Sequence, residues 1–190
     1  DVHRYIKGKG VKLYLNNGVK AIDGHTVVLQ NGEIQADMII LSVGVRPETT
    51  LAQVCGIQTN HRGSILVDRQ MKTNIPNIYA VGDAVEVEDY ITKTPAFIPL
   101  AGPANKQGRI AADNIAGIPS AYTGTQGSAV LKLFDMTVAT TGLNEKKAQA
   151  VGIDYDKAYI YSAPHATYYP GGTNMSIKAL WDKKTLQIIG

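Results

Sequence analysis

The residues best placed to do chemistry are Gly82 and Asp83, which close the stretch Thr73-Asn-Ile-Pro-Asn-Ile-Tyr-Ala-Val-Gly-Asp. Ile78 to Val81 reads as a short buried strand entered through a turn, with the Gly-Asp pair at its carboxyl end. Ligands of open α/β sheets sit just beyond the carboxyl ends of strands, so a carboxylate there is placed to hold a cofactor. Gly82 removes the side chain that would block close approach, and Asp83 can accept hydrogen bonds from a sugar-like chain of hydroxyls. A Gly-Asp pair by itself also serves as a plain strand cap. The segment that follows argues for the ligand.

That segment predicts a helix opening at Gly102-Pro103 and running through Ala104-Asn-Lys-Gln-Gly-Arg109 to Gly117. Proline is tolerated in a first turn, and glycine suits the position just past a helix end. Ala104, Ala111 and Ile115 recur at helical spacing and predict one apolar face. A helix start carries unpaired backbone donors and a partial positive charge. The small residues Ala101, Gly102 and Ala104 gather at this tip, which a bland surface helix would not require.

Together these features resemble the second flavin-binding signature of the two-dinucleotide-binding-domain flavoproteins, the FAD-dependent pyridine nucleotide-disulfide reductases. The resemblance implies that Asp83, with Gly82, binds the ribityl chain of FAD. It implies also that the backbone of Leu100 and Ala101 meets the flavin ring, where the helix start would stabilise negative charge on the reduced form. Three stretches resemble the coenzyme A-disulfide reductase branch, including its rhodanese-fused relatives: Val81 to Val87, Ile98 to Asp113, and His165-Ala-Thr-Tyr-Tyr-Pro-Gly171. That branch implies an NADH- or NADPH-dependent homodimer reducing coenzyme A disulfide or a related persulfide. Its dimerisation domain roofs the partner's active site, so Tyr168 and Tyr169 are the candidates to act in trans. A phenol with a pKa of about 10 stays neutral at pH 7 and can donate a hydrogen bond to a developing thiolate. Adjacent strand residues point opposite ways, so the choice between the two tyrosines stays open. His165 and Arg109 read as surface residues.

The elements around these motifs predict an α/β protein with an α+β tail. Val2 to Ile6 reads as a helix end. Val11 to Leu15, Val19 to Ile22 and Thr26 to Leu29 read as strands, with hairpin signals at Asp23-Gly24 and Asn31-Gly32. Met38 to Val43 reads as a strand buried on both faces, ending in Gly44-Val-Arg-Pro47. That ending resembles the family's crossover from the nicotinamide-dinucleotide domain to the FAD domain. Ile65 to Val67 is a further short strand. Downstream come a hairpin over Ala129 to Thr140, a helix capped by Asn144, and strands at Ala158 to Ser162, Met175 to Trp181 and Leu186 to Ile189. The expected division is residues 1–44 from an NAD(P)H-binding domain, 45–121 from an FAD-binding domain, and 122–190 from a truncated dimerisation domain.

Bulk properties exclude several other classes. The 190 residues carry 19 basic and 16 acidic side chains with no basic run, which argues against nucleic-acid binding. No apolar run approaches the roughly 20 residues of a membrane span. A lone cysteine fits a reducing cytoplasm. His3, His25, His61 and His165 are scattered, so no metal is expected. Cys55 falls at the end of a short helix, which raises rather than lowers a thiol pKa, and reads as structural.

Neither Gly-x-Gly-x-x-Gly fingerprint of these reductases occurs here, and Gly8-Lys-Gly10 reads as a turn. The family's redox cysteine belongs to an N-terminal FAD segment. The chain is therefore expected to be a carboxyl-terminal fragment, inactive alone. A flavin NADH oxidase or peroxidase of the same superfamily is the nearest rival reading. A cofactor-free dimerising scaffold is the rival from another class.

Overall fold

The computed structural model describes residues 2–190, and the chain divides into two compact units, Asp1–Val45 and Arg46–Gly190. In the first unit, helix α1 (Val2–Gly8) precedes an antiparallel sheet of β1 (Val19–Asp23), β2 (Thr26–Leu29) and β3 (Glu33–Gln35), in that order. Asp23 pairs with Thr26, so the hairpin falls where expected but its two turn residues are Gly24 and His25, one position past the Asp-Gly pair, with Gly24 at φ +56°.

The second unit begins with the short helix α2 (Thr50–Val54) and the two-stranded ladder of β4 (Val87–Glu88) and β5 (Pro95–Ala96). Its main helix is α3 (Ala101–Ile115). The hairpin β6 (Ala129–Leu133) and β7 (Met136–Thr140) follows, then α4 (Glu145–Ala150) and the long hairpin β8 (Tyr155–Ser162) and β9 (Met175–Asp182). Asn144 caps α4, its Oδ1 accepting the Lys147 N–H at 3.0 Å.

Two apolar clusters hold this unit. Ile65, Met71, Val85, Val87, Ala111 and Tyr122 form the first, which joins α3 to the bridged segments around Ile65 and Val85. Leu143, Ala148, Leu180 and Ile189 form the second, between α4 and β9. The result is a mixture of helices and small antiparallel sheets.

Several strand expectations are corrected. Val11 to Leu15 forms no strand. Met38 to Val43 is likewise unpaired, and Met38, Ile40, Leu41 and Val43 are exposed. A strand exists only through a ladder partner, and among the described residues none lies beside either segment. Ile65 to Val67 contributes isolated bridges, Thr59 to Ile65 antiparallel and Ile65 to Val85 parallel. Ile78 to Val81 carries a single bridge, Lys72 to Tyr79, and Ile78 and Val81 are exposed rather than buried. On α3 the buried face passes through Gln107 and Ala111, and Ile115 is exposed. Spacing named the right helix but put one of its residues on the wrong side.

Candidate cofactor site

The tip of α3 is open by construction. Leu100 occupies the N-cap with extended backbone and no side-chain capping bond, and its carbonyl accepts the Ala104 N–H at 3.1 Å. Pro103 has no N–H, so Ala101 and Gly102 carry the amides left without intrahelical partners. Both residues are exposed. The first turn also walls a cleft of about 360 Å³, shared with Tyr90, Lys106 and the turn from Tyr122 to Ser128. Gly124 sets the depth of that turn: a Cβ there would meet the Glu88 carbonyl oxygen at 2.8 Å. Asp83, Tyr168 and Tyr169 lie outside the walls of this cleft.

Gly82 and Asp83 lie where the chain turns before Val85 bridges to Ile65. Gly82 holds φ at +88°, a value that favours glycine, and the space where its Cβ would stand is open to 4 Å. Asp83 is exposed, and no described residue forms an ion pair or hydrogen bond with its carboxylate. The Gly82 N–H donates to Gln107 Oε1 at 2.7 Å. Gln107 belongs to α3, six residues past its start, or roughly 9 Å along the axis. The loop bearing Asp83 is thus tied to the helix whose tip stands uncapped.

These residues fit a ligand with a polyhydroxyl chain and an electron-rich ring edge. The carboxylate is uncommitted, the glycine leaves room for close approach, and the helix start offers unpaired donors. Gly82, Asp83, Leu100 and Ala101 are accordingly joined through one helix. Gln107 is the residue that sequence reasoning left without a role. Its signal was a glutamine at helical spacing between Ala104 and Ala111, on a face predicted to be apolar.

Tyr168 and Tyr169 occupy a turn, not a strand, between β8 and β9. Both are exposed, with ring centroids 4.8 Å apart and planes inclined by 37°. His165 meets Tyr169 edge-on at 6.1 Å. The alternation argument for choosing between the tyrosines therefore does not apply, since that periodicity belongs to strands. Cys55 is exposed at the C-cap of α2, and no group of three metal-ligating side chains occurs among the described residues.

Residues 2–108 match the model of the pyridine nucleotide-disulphide oxidoreductase family, and residues 128–190 match its dimerisation domain. The chain belongs to this family. Within it, the chain is 36% identical over 184 residues to the NAD(P)H sulfur oxidoreductase (CoA-dependent) of Pyrococcus abyssi, covering 95% of this chain and 41% of that protein. It is 32% identical over 177 residues to the coenzyme A disulfide reductase of Staphylococcus aureus, covering 92% of this chain and 40% of that protein. Among solved structures, reduced Bacillus anthracis CoADR-RHD superposes with a TM-score of 0.94 at 45% identity, over 99% of this chain and 34% of that one. The chain thus spans well under half the length of these relatives. Among the described residues no helix is long and apolar enough to cross a membrane.

Proposed function

We propose that this chain supplies the flavin-contacting and dimerisation parts of an FAD-dependent, NAD(P)H-driven reductase acting on coenzyme A disulfide or a related persulfide. The carrying observation is the Gly82–Gln107 bond, which ties the uncommitted Asp83 carboxylate to the uncapped α3. In this reading residues 1–44 belong to the nucleotide domain, 45–121 to the FAD domain and 122–190 to the dimerisation domain.

Bound FAD would supply a carrier that takes a hydride from NAD(P)H and passes an electron pair to a disulfide. Asp83 accepts hydrogen bonds from the ribityl hydroxyls, and Gly82 keeps that approach clear. Leu100 and Ala101 present the helix start to the ring edge that gathers negative charge. Tyr168 and Tyr169 act in the partner's site of a homodimer, donating a hydrogen bond to the thiolate that leaves when the disulfide is cleaved. The exposed apolar side chains of β6, β8 and β9, including Val130, Ile160 and Ile177, support such a dimer. The fragment alone, without the redox cysteine and both nucleotide fingerprints, is inactive.

Visible absorbance and substrate assays on the intact enzyme test this reading. Asp83→Ala should purify without flavin, whereas Tyr168→Phe and Tyr169→Phe should stay yellow and turn over coenzyme A disulfide more slowly. Full flavin in the Asp83 variant would refute the site. Wild-type rates in both tyrosine variants would refute the in-trans role. Assays with coenzyme A disulfide, a persulfide and oxygen separate the reductase from an NADH oxidase.

A further inference from the structure

We infer that Gln107 is a positioning residue for the cofactor, acting through the Gly82 peptide to place Asp83 relative to the tip of α3. Gln107 is 1% exposed and sits on the helix face that packs into the core, between Ala104 and Ala111. A glutamine there is costly to bury unless its amide is used, and Oε1 is used on one backbone donor, the Gly82 N–H at 2.7 Å. That donor belongs to the residue immediately before the carboxylate.

Gly82 at φ +88° has the conformational freedom that would otherwise leave the following peptide poorly defined. The Gln107 bond fixes the Val81–Gly82 peptide plane, and the Gly82 carbonyl on the far side accepts the Val85 N–H at 3.5 Å, so both peptides flanking the glycine are held. The bond to Gln107 references Asp83 to α3 itself, so the group gripping the hydroxyl chain and the donors facing the ring share one rigid body. Two grips on one ligand add only when their spacing is held in advance, because ordering them on binding subtracts from affinity. Core packing alone would be served as well by leucine at position 107, so the retained amide points to the loop.

This inference rests on the flavin reading above, and the test separates the two. In the intact protein, FAD dissociation constants are measured by flavin fluorescence for wild type, Gln107→Leu, Gln107→Met, Asp83→Ala and the Asp83→Ala/Gln107→Leu double variant. Gln107→Leu and Gln107→Met should each weaken FAD by about tenfold, because the Gly82 N–H loses its acceptor. The visible circular dichroism of the bound flavin should change with them. The double variant should bind within about twofold of Asp83→Ala alone, since Gln107 acts through that carboxylate. Ala111→Gly, on the same face, should lower Tm and leave FAD affinity unchanged.

Wild-type affinity in Gln107→Leu or Gln107→Met, or a fully additive double variant, would overturn the inference. So would failure of both single variants to fold, which would assign Gln107 to the core. If Asp83→Ala itself binds FAD normally, it is the flavin reading that fails.

Discussion

Glu145 Oε2 accepts a hydrogen bond from Lys157 Nζ at 2.6 Å, joining the first turn of α4 to β8. Lys178 of β9 reaches the other oxygen at 3.0 Å, and the Tyr155 hydroxyl donates to Oε2 at 2.9 Å. One carboxylate therefore ties a helix to both strands of a hairpin. Lys157 first, then Lys178 and Tyr155, push the Glu145 pKa down from its ordinary 4.5 to about 2.

A carboxyl group depressed in the folded state stabilises it fully above the unfolded pKa and loses that contribution as pH falls through the folded value. The window here runs from about pH 4.5 down to about pH 2. Tm of the chain should fall across that window, and Glu145→Gln should start lower and show a flatter profile. Added salt should reduce the difference, because these groups are partly solvated. Parallel profiles for the two proteins would remove Glu145 from the account.

Leu180 is 1% exposed in the cluster that joins β9 to α4. Leu180→Ala should cost about 2–5 kcal/mol, the transfer term plus the cavity left behind. Chemical denaturation measures it. A cost below about 1 kcal/mol would mean that this cluster collapses around the loss.

Gly117 and Gly124 both hold positive φ, at +80° and +104°, yet their surroundings differ. At Gly117 an added Cβ meets nothing within 4 Å, so alanine should cost only the left-handed backbone strain, about 1–2 kcal/mol. At Gly124 the Cβ would also strike the Glu88 carbonyl, and the turn beside the α3 cleft must shift. Gly124→Ala should therefore lower Tm more than Gly117→Ala. The reverse order would show that the turn gives way freely.

A Cβ on Gly172 would approach His165 Cε1 to 2.9 Å, and His165 contacts Tyr169 edge-on. In the intact enzyme, Gly172→Ala should displace the imidazole, loosen the tyrosine pair and raise the disulfide KM a few-fold. Such ring contacts are worth about 0.5–1.5 kcal/mol. Flavin content should be unchanged. An unaltered KM would leave the histidine contact without a functional consequence.

The local signals that read correctly are those in which one residue's chemistry answers a neighbour a few positions away. Asn144 bonds Lys147, a hairpin turns at Gly24 directly after Asp23, and Pro103 falls in the helix's first turn. The signals that misled concern distant partners. Val11 to Leu15 and Met38 to Val43 have strand composition, but a ladder needs a second chain segment, and composition says nothing of where that segment lies. Ile115 fits the helical period and still faces outward, because period fixes relative position on a helix, not which face meets a core.

The site divides along the same line. Gly82, Asp83 and a helix opening near Pro103 were picked out by residue type and spacing, since a carboxylate after a glycine and a proline-opened helix carry their chemistry locally, whereas Leu100 and Ala101 entered only through the family resemblance. That a buried glutamine two turns into the helix would take the Gly82 N–H, and so join two motifs 25 residues apart, was settled only when the chain folded. Local chemistry is encoded by neighbours in sequence. A bond between remote groups depends on how helices and loops pack, and packing is a property of the whole three-dimensional arrangement.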